Sequence, residues 1–195
     1  EDMKYALNPE FRFTVSRAIY KGMLKYLSNR YGCPYEVQPL PVAGMGIRFN
    51  NNSGTATLSW KAVKDRLEKT ADAKGYILYT RVDDGSFDTG RIIPSGEIKS
   101  SGDGTLSINL HIESGHIYSY RIVAFNNGGR SFPSETVSIG IPERGSKGKV
   151  LIVNNFYRVG APSFFDGPFY AGFDNYTDSG VPYIEDLAFT GAMHE

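Results

Sequence analysis

Tyr118-Ser119-Tyr120-Arg121-Ile122-Val123-Ala124-Phe125-Asn126-Asn127-Gly128-Gly129-Arg130-Ser131-Phe132-Pro133-Ser134 is the stretch on which the fold turns. Tyr118, Tyr120, Ile122 and Ala124 alternate with Ser119, Arg121, Val123 and Phe125, the period of a strand that lays one face on a core. Asn126 to Gly129 then punctuates it as a turn. On either side the same period returns. Leu106, Ile108, Leu110 and Ile112 alternate after the turn Ser101-Gly102-Asp103-Gly104, and Val137, Ile139 and Ile141 close the set. Upstream, Ala56, Leu58 and Trp60 alternate with Thr57 and Ser59, and Tyr76 to Val82 runs into Asp83-Asp84-Gly85. Asp88 to Ile93 reads as a short edge strand stopped by Pro94. The charged run from Lys61 to Lys74 has almost no apolar face and is predicted to be mainly loop. Short strands separated by Gly, Asp and Asn turns predict a mainly β fold, an antiparallel β-sandwich over residues 38–142. Its expected core is Trp60, Tyr76, Leu106, Ile112, Tyr118, Tyr120 and Ile122.

The flanks differ in character. Asn8 is a good N-cap and Pro9 suits the first helical position, so a helix starts there. Phe11, Val15, Ala18, Ile19, Gly22, Met23, Tyr26 and Leu27 follow at three-and-four spacing and predict one buried stripe. Arg12, Arg17, Lys21, Lys25 and Arg30 are assigned to the opposite side, read as a solvated basic face, with no acid between Phe11 and Tyr31. Prolines at 34, 39 and 41 exclude a helix or central strand across the first junction. Residues 141–148 read as a polar, glycine-rich linker. The resulting organisation is 1–37, a helix ending a preceding domain; 38–142, the sandwich; and 143–195, a linker and an aromatic-rich start of a following domain. That last part is expected to open with a strand around Val150-Leu151-Ile152-Val153 and to be irregular beyond it. It holds nine aromatics in the twenty-eight residues from Phe156 to Tyr183, and from Val150 onward six acids against Arg158 as the only Lys or Arg. Phe164, Phe165, Phe169, Tyr170 and Tyr176 are the candidate contacts for a ligand or a neighbouring domain.

Composition narrows the function classes. The chain has 195 residues, and 21 basic residues balance 21 acidic ones, which argues against general nucleic-acid or membrane-surface binding. The longest apolar run, Val150 to Val153, is far short of a membrane span. Cys33 is the single cysteine and cannot form an internal disulfide. Glu1-Asp2-Met3-Lys4 lacks the basic-then-apolar order of a signal peptide.

The middle region resembles a fibronectin type III domain. Trp60 falls on the second strand, where that family places its core tryptophan. Ile112 precedes Tyr118 by six residues, the family's spacing before its sixth strand, and Tyr118 to Ser134 matches that strand and its turn. The resemblance implies that Tyr118 is a tyrosine-corner residue whose hydroxyl bonds backbone. There is no Arg-Gly-Asp triplet, so no adhesive role is implied. More distantly, Ser16 to Leu27 resembles the last helix of zinc-dependent N-acetylmuramoyl-L-alanine amidases. The order helix, sandwich, then Lys149-to-Phe156 strand resembles secreted Bacteroides-type multidomain proteins of the xanthan lyase and amidase kind. This implies an internal piece of an extracellular or periplasmic protein whose partners are flanking domains of the same polypeptide and peptidoglycan or polysaccharide. The amidase zinc ligands have no counterparts here.

Catalytic chemistry is hard to assemble. His111 alternates out of phase with Leu110 and Ile112 and should face away from the core. His116 sits in a turn, and His194 lies next to the last residue. His111 and Glu113 have no third ligand nearby for a metal. Cys33 lacks an adjacent histidine and acid and is expected to pack behind the helix. Asp174 to Gly180 offers oxygen ligands but not the glutamate that completes a calcium loop, and reads as a polar turn. Gly44-Met45-Gly46 and Gly128-Gly129 are too short to cradle a phosphate, and no Gly-x-Gly-x-x-Gly follows Val153. No catalytic residue, metal or cofactor is therefore expected. The leading reading is a non-catalytic spacer or interaction module. The alternatives are a fragment of an amidase or polysaccharide lyase whose catalytic residues lie outside this chain, and a carbohydrate-binding module using the tail aromatics.

Overall fold

The computed structural model describes residues 5, 8–50, 54–144, 148, 150–151 and 163–174. The chain divides into two units, Glu1–Pro34 with Val150–Leu187 and Tyr35–Lys149 with Ala188–Glu195.

The second unit holds the sandwich. One sheet has the order β1-β2-β6-β5, from Ala43–Asn50, Thr55–Lys61, Thr105–His111 and Lys99–Ser100. The other has the order β4-β3-β7, from Arg91–Ile92, Gly75–Val82 and Ile117–Asn126. The far edge of β7 takes two short strands in turn, β8 (Gly129–Arg130) beside Phe125 and Asn126 and β9 (Val137–Gly140) beside Ile117 to Tyr120. All pairings are antiparallel. The register of β3 on β7 sets Leu78 opposite Ile122 and Thr80 opposite Tyr120, so the alternating apolar residues of both strands share the inner face. Ala56, Leu58, Trp60, Ile108 and Ile112 meet them from the other sheet.

Between β8 and β9 the chain reads Ser131-Phe132-Pro133-Ser134, where proline has no N–H to add to a ladder. The flanking serines hold this segment on β7 instead: Ser131 N donates to Ala124 O at 2.8 Å and Ser134 N to Ile122 O at 2.9 Å, while their hydroxyls accept from Ala124 N at 3.0 Å and Ile122 N at 2.9 Å. The Lys61–Lys74 connection is irregular apart from a one-turn 3-10 helix, Lys69–Ala71, which buries Ala71.

In the first unit, α1 (Pro9–Tyr31) starts where the sequence places it. Asn8 Oδ1 accepts from Glu10 N at 2.9 Å and Phe11 N at 3.3 Å, and Gly32 ends the helix at φ 65°, a left-handed position that glycine adopts without a Cβ clash. The expected burial of its apolar stripe is not found. Phe11, Val15, Ile19, Met23, Tyr26 and Leu27 are exposed, whereas Arg17, Tyr20, Lys21, Leu24 and Ser28 form the half-buried flank. Arg17 and Lys21 both have interaction partners, so the less exposed side of the helix is largely polar.

Residues 163–174 are also more regular than their sequence suggests. β10 (Ser163–Asp166) and β11 (Ala171–Asp174) form an antiparallel hairpin, which replaces the expected irregular extension at this point. A Gly-Pro turn closed by a backbone hydrogen bond and the Phe165–Tyr170 ring contact join the strands, neither of which a period-two search detects. Val150 and Leu151 are exposed and outside any strand, and the rest of the expected strand, from Ile152, lies outside the described residues.

Candidate functional site

The residues expected in the core are buried to different depths. Trp60 and Ile122 are 0% exposed, Tyr76, Ile112 and Tyr120 are buried, and Leu106 and Tyr118 are half-buried against the cluster. The Trp60 ring meets the edge of Tyr76 with centroids 5.3 Å apart. Burial pushes the Tyr76 phenol up, and does so further for Tyr120. The indole therefore sits in a closed interior.

Tyr118 departs from the tyrosine-corner expectation. Its hydroxyl makes no hydrogen bond to backbone among the described residues. Its ring instead lies parallel to Tyr120 and edge-on to His116. Another pair ties down this corner. Asp83 Oδ1 accepts from Ile117 N at 2.8 Å, Asp83 N donates to Ile117 O at 2.7 Å, and Asp83 Oδ2 lies 2.8 Å from His116 Nδ1. Asp83 has φ 53°, a turn conformation that aspartate tolerates. The Ile117 amide and His116 hold its carboxyl below the usual range, and Asp83 in turn raises the His116 imidazole. Nothing local in the sequence joins residues 33 positions apart.

Asn126 is the second feature missed in the sequence. It is buried, and its side-chain amide donates to Val37 O at 2.8 Å, Thr70 O at 3.0 Å and Asp72 O at 3.3 Å, while Oδ1 accepts from Gly128 N at 2.8 Å. One side chain thus joins the chain's entry segment, the 61–74 connection and the turn after β7. Tyr35 to Val37, which the proline-based boundary groups with the helix, are built into the sandwich. Tyr35 donates to Glu68 Oε2 at 2.9 Å, Lys74 Nζ lies 2.7 Å from Glu36 Oε1, and Val37 is fully buried. Gly128 lets this segment approach, since a Cβ there would lie 2.2 Å from Glu36 O.

The candidate contact surface is the hairpin tip. β10 and β11 are joined through Gly167-Pro168-Phe169-Tyr170, and Gly167 N donates to Tyr170 O at 2.9 Å. Phe165 and Tyr170 meet edge to face, with centroids 5.6 Å apart. Phe169 is 93% exposed and Tyr170 72%. The tip presents ring faces and one phenol to its surroundings, a surface suited to stacking and apolar contact. Phe164 lies on β10 by its backbone, opposite Phe173. Tyr176 and His194 lie outside the described residues, as does most of the Asp174-to-Gly180 turn.

His111 is exposed on β6. Cys33 is exposed as well, rather than packed behind the helix, because it follows the glycine that ends α1; its carbonyl accepts from Ser28 Oγ. Among the described residues no three His, Cys, Asp or Glu side chains converge as a metal site, and no helix is long and apolar enough to cross a membrane.

No protein-family model matches the sequence, and no curated protein matches it. Among solved structures the chain is similar to the FN1–FN3 domains of chicken CNTN1, at 14% identity over 57% of this chain and 35% of that chain, TM-score 0.42. It is also similar to astrotactin-2, at 18% identity over 54% of this chain and 22% of that chain, TM-score 0.42. A third is a human fourth FNIII domain, at 19% identity over 57% of this chain and 87% of that chain, TM-score 0.37. The fold rests on the strand order itself: the first, second and sixth strands in one sheet and the third, seventh and ninth in the other make the second unit a fibronectin type III-like sandwich.

Proposed function

We propose that this chain is a non-catalytic spacer and interaction module of a secreted or periplasmic, cell-wall- or polysaccharide-directed bacterial protein, with flanking domains of the same polypeptide as its first partners. The observation that carries this reading is the contrast between a closed core and open aromatic surfaces. The sandwich encloses Trp60, Tyr76 and Tyr120, while the hairpin tip turns Phe169 and Tyr170 outward. A closed sandwich serves as a rigid body, and exposed rings serve as contacts. The resemblance of the flanks to amidase- and lyase-type proteins supplies the cell-wall and polysaccharide context. Incubating the 195-residue chain with peptidoglycan fragments, with and without zinc, tests the non-catalytic part. No product is the expected result, and measurable hydrolysis overturns it.

The exposure of Phe169 favours carbohydrate binding as a second reading, in which tip rings stack on sugar faces. Trp60 is too deeply buried in the sandwich to report such binding, so calorimetric titration with soluble polysaccharides is the suitable measurement. Binding that disappears in the Phe169→Ala/Tyr170→Ala variant supports stacking. Absence of heat at millimolar sugar leaves the spacer reading alone.

A further inference from the structure

The exposed side of α1 has a definite chemistry. Phe11, Val15, Ile19, Met23 and Leu27 follow one another every four residues, with Tyr26 beside them, and all six are exposed. At 1.5 Å per residue this ridge runs for about 24 Å along the helix. Five Lys and Arg side chains and no acid lie between Phe11 and Tyr31. The cations are not confined to the far side. At about 100° per residue, Arg12 and Arg30 both project between Ile19 and Met23, and Lys25 borders the opposite margin of the ridge. The Arg12 Nε is shielded from solvent and has no acceptor among the described residues.

We infer that this ridge is the docking face for a polypeptide partner whose contact surface is apolar and acidic. The inference rests on the interaction-module reading above and gives the partner its chemistry. Charge complementarity decides among occupants. A second copy docking through the same face would set Arg12, Lys25 and Arg30 of each helix against those of the other, with no acid on either helix between Phe11 and Tyr31 among them. A lipid surface takes up a helix whose apolar and charged faces are segregated, and here two guanidiniums interrupt the apolar arc. A protein surface can place carboxylates opposite Arg12 and Arg30, where the planar guanidinium accepts bidentate pairing, while burying Ile19 and Met23 between them.

The test uses the full chain and a fluorescein-labelled amphipathic helical peptide with leucine on one face and glutamate elsewhere, read by anisotropy. The control peptide carries lysine for glutamate. The expected result is binding of the glutamate peptide at least tenfold tighter than the lysine peptide, weakening as salt rises. Arg12→Glu/Arg30→Glu is expected to reduce that binding at least tenfold with unchanged helical circular dichroism, and Ile19→Asp/Met23→Asp to do the same through the apolar contacts. Absence of binding overturns the inference, as does equal binding of both peptides or indifference to Arg12→Glu/Arg30→Glu. Sedimentation to vesicles of anionic phospholipid without peptide binding assigns the ridge to lipid and overturns it. A concentration-dependent dimer abolished by Ile19→Asp/Met23→Asp assigns it to a second copy and overturns it too. None of these outcomes depends on polysaccharide titration, so the two readings fail separately.

Discussion

Replacing Asn126 by alanine should loosen the sandwich at its entry while leaving its core intact. The wild-type amide has two hydrogens and serves three backbone carbonyls, those of Val37, Thr70 and Asp72. Its oxygen takes the Gly128 N–H. Alanine leaves the Val37 carbonyl, in a fully buried residue, without this donor. At about 1–3 kcal/mol for the buried Val37 carbonyl left unpaired and about 1 kcal/mol for a second, part-buried hydrogen bond, the loss comes to roughly 2–4 kcal/mol. A sandwich stable by about 5–15 kcal/mol still folds after such a loss. Urea unfolding followed by Trp60 emission should show the midpoint falling by about 1–2 M with little change in slope. Hydrogen exchange should rise first at residues 35–41 and 62–74, which Asn126 joins, and much less at β2 and β6.

Asn126→Asp sharpens the reasoning because it keeps the acceptor and removes the donor. At neutral pH a carboxylate facing three carbonyls should be worse than alanine. Protonation restores an O–H donor, so the folded-state pKa of this aspartate lies above its unfolded value of about 3.9. Its favourable contribution is then present below that value and lost as pH rises through the folded pKa. The variant should therefore gain stability relative to Asn126→Ala on acidification. A change under about 0.5 kcal/mol for alanine, or an aspartate variant as stable as wild type at pH 7, would refute the account, since either result means the three carbonyls do not need this donor.

Other perturbations probe separate parts of the structure. Trp60→Ala should cost about 3–5 kcal/mol by thermal or chemical denaturation, because a fully buried indole leaves a cavity beside Tyr76, and a loss below 1 kcal/mol would mean the interior refills. Two glycine-to-alanine changes should move stability in opposite directions. At Gly128 the new Cβ meets Glu36 backbone and destabilises the sandwich. At Gly22 it meets nothing within 4 Å and should raise the helicity of α1 by about 0.5–1 kcal/mol. His116→Ala should lower stability most between the ordinary aspartate and histidine pKa values, about 3.9 and 6.5. The Asp83 contribution is lost as pH falls through its lowered folded pKa, and that of His116 as pH rises through its raised one. A difference from wild type that stays constant from pH 4 to pH 9 would show that the pair is not coupled to folding.

The sandwich was legible because its cause is local. Alternation along 118–125 and 106–112 selects a strand face, and the turns between strands are made of residues that favour turns whatever surrounds them. The helix start was legible for the same reason, since the Asn8 side chain caps amides two and three residues away. The candidate contact surface was legible only as composition. Aromatic density marked the region around Phe165 to Tyr170, but not that a hairpin gathers those rings at one tip. The 3.6-residue period identified an apolar ridge on α1 without showing whether anything covers it. Period reports which residues share a face, whereas burial depends on a second surface.

Local pattern alone reveals the central strands and their inward faces, the helix and its cap, and the charged loop, but not the edge strand Ala43–Asn50 or the β10–β11 hairpin. Tertiary structure alone decided that Asn126 reaches Val37 across 89 positions, that Asp83 secures the Tyr118 corner through His116, and that the helix keeps its apolar ridge open. The physical reason is range. Propensities and caps act within a few residues, while a buried amide or a histidine–carboxylate pair finds its partner only after the sheets have brought distant segments together.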